Sequence, residues 1–126
     1  MPRRSLELMT ESMFYTIMAF QTGPRCGTEI SAYVERLTEG RVLLGPGTLY
    51  TILNKFLEVG YLLEVSQEGR KRTYVLTAEG RRAYELELER LHRCIRDAQS
   101  AAAIALEEGG EAIEGPDLAP APLPAL

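Results

Sequence analysis

The stretch Gly45-Pro46-Gly47-Thr48-Leu49-Tyr50-Thr51-Ile52-Leu53-Asn54-Lys55-Phe56-Leu57-Glu58-Val59-Gly60 decides how the chain is read. Proline suits the first position of a helix, where the missing N–H has no partner to lose. Leu49, Ile52, Leu53, Phe56 and Leu57 follow at spacings of three and four, so at about 100° per residue they fill one side of a helix. Thr48, Thr51, Asn54, Lys55 and Glu58 fill the other side, with Tyr50 at the border, and Gly60 supplies the stop. From Val42 to Leu57 there is no acidic residue. The stretch therefore predicts a helix with a greasy inner face and a short-chained, hydrogen-bonding outer face free of carboxylates until Glu58.

Working outward, two more helices precede it. Residues 10–22 open on Thr10 as N-cap with Glu11 in the first turn. Met13, Phe14, Ile17, Met18 and Phe20 make a wide apolar stripe, and Gly23-Pro24 ends it. Residues 28–39 repeat Ile30, Tyr33, Val34 and Leu37 at helical spacing before Gly40. Downstream, Tyr61–Val65 and Arg72–Leu76 read as short strands joined by a polar loop, Ser66-Gln67-Glu68-Gly69-Arg70. Thr77 then caps a long last helix. Along it Tyr84, Leu88, Leu91, Ile95, Ala98, Ala102 and Ala105 alternate by four and three, a heptad seam suited to packing two helices together. Such a seam packs within one subunit or across two. The expected fold is mainly α with a small β-hairpin (α+β): a winged helix-turn-helix over residues 1–76, a C-terminal dimerisation helix over 77–108, and a flexible acidic tail rich in Pro and Ala over 109–126.

Composition narrows the class. The chain has 126 residues, 45% hydrophobic and 25% charged, a mix that fits one globular domain and excludes collagen or wholesale disorder. The apolar run Met13–Phe20 is far short of the roughly 20 residues of a membrane span and does not read as a signal peptide. Cys26 and Cys94 are expected as reduced thiols of a cytoplasmic protein. The formal net charge of −4 at first argues against a polyanionic partner. Its distribution reverses that argument. All 14 Lys and Arg fall in residues 1–96 against 12 acids, a balance of +2, whereas residues 97–126 hold six acids and no Lys or Arg. The local field, not the total, decides what a surface attracts.

These elements, in this order, point to double-stranded DNA. A major groove admits an α-helix, and Asn pairs bidentately with adenine while a Thr methyl touches that of thymine. Candidate contacts on the third helix are Thr48, Tyr50, Thr51, Asn54 and Lys55, the lysine reaching a phosphate. On the wing they are Arg70, Lys71 and Arg72, consecutive cations beside Gly69, with Glu68 weakening the field. Arg3 and Arg4 add candidate backbone contacts. Taken singly, each feature has a plainer reading: a solvated polar face, a solvated charged edge, or a seam inside one subunit. A winged-helix module that binds protein instead of DNA is the alternative. An enzyme is not expected: His92 is the one histidine, no cluster has metal-ligand spacing, Glu85, Glu87 and Glu89 are a surface charge run, and no glycine-rich phosphate loop follows a strand. No cofactor and no metal are expected.

The residues also resemble a known family. Gly45-Pro46-Gly47-Thr48-Leu49-Tyr50, followed by Leu53, Leu57, Gly60, Tyr61 and Leu62, resembles the signature of the PadR-like winged-helix transcriptional regulators. Gly23-Pro24, Gly27 and Glu29-Ile30 resemble the opening of that family's second helix. Arg70 to Thr77 with Glu79-Gly80 resembles its wing and the start of its last helix. The similarity spans about residues 8–95. It implies a homodimeric repressor on a pseudo-palindromic operator, paired through Tyr84, Leu88, Leu91 and Ile95. It also implies, in some members, a response to an aromatic or lipophilic effector, for which Met13, Phe14 and Ile17 would line a pocket. Thr28 stands where many relatives carry an aromatic residue, and Thr73 and Val75 where wing residues are often basic or aromatic. The chain has no Trp, which excludes an effector cavity built on stacked tryptophans.

Overall fold

The computed structural model describes residues 9–109. Arg3, Arg4 and the tail beyond Gly109 lie outside the described residues. The elements run α1 (Glu11–Met18), β1 (Arg25–Cys26), α2 (Gly27–Leu37), α3 (Pro46–Val59), β2 (Leu62–Glu68), β3 (Lys71–Leu76) and α4 (Ala78–Glu107). No helix among them is long and apolar enough to cross a membrane. The chain divides within α4 into one unit ending at Arg90 and a second beginning at Leu91.

In the first unit α1 starts where Thr10 accepts a hydrogen bond from the Met13 N–H at 3.1 Å. It stops at Met18, four residues short of the expected end at residue 22. Beyond Met18 the N–H groups of Phe20 and Gln21 turn back to Ile17 and Met18, three residues away, so the chain tightens into turns. The Ala19 carbonyl, orphaned there, is taken by Arg25 Nε at 2.5 Å. Arg25 and Cys26 then form a strand that the sequence reading missed. Arg25 pairs with Tyr74 and Cys26 with Thr73, so the expected two-stranded hairpin is a three-stranded antiparallel sheet in the order β1-β3-β2. Two residues carry too little alternation to be seen in sequence.

The wing differs from expectation too. Ser66, Gln67 and Glu68, read as loop, pair with Thr73, Arg72 and Lys71 after a bulge between Glu64 and Ser66. Only Gly69 and Arg70 remain to turn the chain. Gly69 takes φ +61° and Arg70 a negative φ, the pattern of a two-residue hairpin turn with glycine first. Lys71 and Arg72 are thus held on a strand rather than on a loose tip.

The core is shared by α1, α2, α3 and the sheet. Ile17, Ile30, Val34, Leu53, Phe56 and Leu62 are fully enclosed. On α3 the buried face is Leu49, Ile52, Leu53, Phe56 and Val59; Leu57, expected inside, is only partly covered. Gly60 ends α3 at φ +84°, and the Tyr61 N–H reaches back to the Phe56 carbonyl at 2.8 Å, the bond that closes such helix ends. Thr77 ties this corner to α4. Its hydroxyl donates to the Gly60 carbonyl at 2.6 Å and accepts from the Gly80 N–H at 3.0 Å, while its own N–H donates to Tyr61 O at 3.0 Å. Gly80 is demanded by space: a Cβ there would run into the Tyr61 carbonyl. The loop before α3 is anchored by Arg41, which donates to Glu11 at 3.0 Å and to the Tyr15 hydroxyl at 2.6 Å.

The second unit is the continuation of α4 through Glu107. Its side chains are exposed from Arg96 to Gly109, and Leu91 and Ile95 are partly covered.

Candidate nucleic-acid interface

The outward side of α3 carries the five side chains that the sequence nominated. Thr48, Tyr50, Thr51, Asn54 and Lys55 are all exposed. Stepping about 100° per residue from Tyr50, Asn54 lies about 40° around the helix, Thr51 about 100°, Lys55 about 140° and Thr48 about 160°. The polar face is therefore an arc with Tyr50 at one margin and Thr48 and Lys55 at the other. Thr51 donates its hydroxyl to the Gly47 carbonyl at 2.8 Å, which leaves its methyl and its oxygen lone pairs to face a partner. Asn54 sits between the margins with donor and acceptor both available to a base edge.

Each margin borders a groove. Thr48, Thr51 and Lys55 share one with Thr10, Ser12 and Met13 at the start of α1. Tyr50 shares the other, about 390 Å³, with Gly27 and Glu29 of α2 and with Arg70, Lys71 and Arg72 of the wing. The structure thus brings the wing cations beside one margin of α3, a juxtaposition no spacing in the sequence could disclose. Arg72 lies 3.7 Å from the Glu64 carboxylate across the hairpin. Arg70 and Lys71 enter no salt bridge among the described residues.

Glu29 is a functional neighbour that sequence reading noted only as part of a motif. Its carboxylate accepts from the Cys26 N–H at 2.8 Å. That backbone bond and then the Cys26 side chain hold it below the ordinary carboxylate range against the opposing effect of burial, with lesser help from the nearby Lys71 and Arg25. Among the described residues it is the one carboxylate lining the groove, against the three cations Arg70, Lys71 and Arg72, so the balance of the lining is positive. Cys26 is buried and Cys94 exposed, and neither is in a disulfide among the described residues. No group of His, Cys, Asp and Glu among the described residues is arranged to hold a metal ion.

The residues nominated for an effector are placed as follows. Met13 and Ile17 are part of the core, Ile17 with no exposed surface. Phe14 is half-buried and stacks on Tyr84, ring centroids 5.4 Å apart at 16°. Of the seam residues, Tyr84 therefore already has an aromatic partner in its own chain, and Leu88 is half-buried. Glu87, one residue before it, is buried and paired with Arg90.

Solved structures share this architecture. A transcriptional regulator from Clostridium thermocellum superposes with a TM-score of 0.63 at 22% identity, over 70% of this chain and 89% of that one. RosR of H. salinarum gives 0.57 at 17% identity, over 83% and 97%. Bacillus subtilis PadR, solved in complex with operator DNA, gives 0.56 at 14% identity, over 86% and 83%. At these identities the likeness is one of fold. A comparison with curated proteins finds no match. The sequence itself matches a family of transcriptional regulators, not of enzymes, over residues 16–86, more than half of its length and the span from the end of α1 to the first turns of α4. The chain therefore belongs to the transcriptional regulator PadR-like family.

Proposed function

We propose that this protein is a sequence-specific DNA-binding repressor that acts in the cytoplasm as a homodimer on a pseudo-palindromic operator, released by an aromatic or lipophilic effector. The observation that carries the DNA reading is that one margin of the exposed polar arc of α3, at Tyr50, shares a single groove with the wing cations Arg70, Lys71 and Arg72. Asn54 and Thr51 reach base edges, while Lys55 and the wing hold phosphates. The regulator from Bacillus subtilis with the same fold was solved on its operator, which supports the same use of the fold here. Residues 1–76 serve as the reading unit and 77–108 as the pairing helix, through Tyr84, Leu88, Leu91 and Ile95. Two-fold pairing spaces two reading helices about one DNA turn, or a multiple, apart. An effector acting at Met13, Phe14 and Ile17 must displace packed side chains to enter, so its binding is coupled to a shift of α1.

The test is binding to duplex DNA from the region upstream of the protein's own gene, measured against a scrambled duplex of equal length. The expected result is preferential binding that weakens steeply with salt as counterions are released. Equal, salt-insensitive binding to both duplexes, or none to either, overturns the reading in favour of a protein-binding module. Sedimentation of the Leu91→Glu, Ile95→Glu variant tests the pairing helix: monomer is expected, and an unchanged dimer refutes this seam.

A further inference from the structure

Tyr50 stands apart from the other outward residues of α3. It is 46% exposed, yet its hydroxyl lies over the first residue of α2: a Cβ built on Gly27 would sit 3.0 Å from that oxygen and 3.4 Å from the ring carbon that bears it. Gly27 has no left-handed backbone conformation to explain the glycine. What the missing side chain supplies is room for the tyrosine. The ring is thereby laid towards the wing, where its hydroxyl and the Arg70, Lys71 and Arg72 side chains border one groove. The N–H of Cys26 at the head of α2 is already occupied by Glu29, so the tyrosine and Thr28 hydroxyls and the three cations are the side-chain donors that border the groove among the described residues.

We propose that Tyr50, Arg70 and Lys71 form a clamp for one backbone phosphate of the DNA, and that Gly27 is the positioning residue that seats the tyrosine hydroxyl in it. This deepens the DNA-binding reading above and rests on it. A phenol hydroxyl donating to a phosphate oxygen is a charge-assisted bond, and the Arg70 and Lys71 cations beside it neutralise the anion that Glu29 would otherwise repel. The clamp fixes the rotation of α3 about its axis, and so selects Asn54 and Thr51, not Tyr50, as readers of bases. Tyr50 thus contributes affinity without sequence preference.

Fluorescence anisotropy with the upstream duplex and the scrambled duplex tests this. Tyr50→Phe is expected to weaken both by a similar factor, roughly ten-fold per half-site, with the slope of log affinity against log salt unchanged, because no counterion is released by a hydroxyl. Lys71→Ala is expected to weaken both and to lower the slope by about one per half-site. Gly27→Ala is expected to match Tyr50→Phe, with an unchanged melting temperature because the exposed ring swings aside. The double variant Gly27→Ala, Tyr50→Phe is expected to be no weaker than either single one. A Tyr50→Phe effect confined to the upstream duplex makes the tyrosine a base reader and overturns the clamp. Additive losses in the double variant, or a loss of Gly27→Ala binding that merely follows a loss of folding, overturn the positioning role. A wild-type protein that binds neither duplex overturns the DNA-binding function itself, and the clamp with it.

Discussion

Gly80→Ala is the substitution on which local and tertiary reasoning disagree most sharply. Gly80 lies in the first turn of α4, and within a helix alanine is favoured over glycine by about 1 kcal/mol. Propensity alone predicts stabilisation. The structure predicts the opposite. The added Cβ would meet the Tyr61 carbonyl carbon at 3.0 Å and Leu76 Cδ1 at 2.7 Å, and would run into the carbonyl oxygen itself. Leu76 can rotate, but Tyr61 is buried and its carbonyl is held by the Thr77 N–H. Relief therefore moves the start of α4 off the α3–β2 corner. Overpacking of this kind costs about 1–3 kcal/mol, and loosening the Thr77 bonds to Tyr61 and Gly60 costs about 1 kcal/mol each. Against a gain of about 1 kcal/mol, the net is a loss of about 2–4 kcal/mol, on the order of 10 °C in melting temperature for a chain of this size. Thermal melts followed by circular dichroism, at matched protein concentration so that self-association does not enter, measure it. Gly47→Ala is the control: nothing lies within 4 Å of a Cβ there, so the same change is expected to be neutral or stabilising by up to about 1 kcal/mol. If Gly80→Ala melts at or above the wild type, the close approach is not rigid and the account of this corner is wrong.

Three further outcomes are expected. Asn54→Ala should reduce discrimination between the preferred and scrambled duplexes by about 1–3 kcal/mol while leaving non-specific binding intact; equal losses on both would remove Asn54 from the reading face. Glu29→Gln should flatten the acid limb of the stability curve. The folded-state pKa of Glu29 lies below its ordinary 4.5, so its bond to the Cys26 N–H contributes fully above that pH and is lost as pH falls through the lowered value. A wild type and variant that lose stability in parallel on acidification would contradict this. Thr77→Val keeps the shape but removes the hydroxyl that caps α4 and holds Gly60, at an expected cost of about 1–2 kcal/mol in denaturant midpoint analysis.

The three helices, the hairpin and the long last helix were legible because each is written in a local period with its own punctuation. Thr10, Pro46, Gly60 and Thr77 mark helix ends by backbone chemistry that needs no distant partner. The outward residues of α3 were legible for the same reason: once Leu49, Ile52, Leu53 and Phe56 face the core, geometry sends Thr51 and Asn54 the other way. The β1 strand was not legible. Arg25 and Cys26 are a strand only because β3, far along the chain, offers them an open edge. The extent of the wing was hidden likewise, since Ser66, Gln67 and Glu68 have the composition of a turn and become strand by pairing. The meaning of Gly27 and Gly80 lay out of reach, because a glycine chosen for a neighbour's bulk looks in sequence like one chosen for a turn. The tertiary structure alone decided which outward residue sits with the wing. Tyr50 and Arg70 are twenty positions apart, and the core that folds β3 back beside α2 is what sets them on one groove.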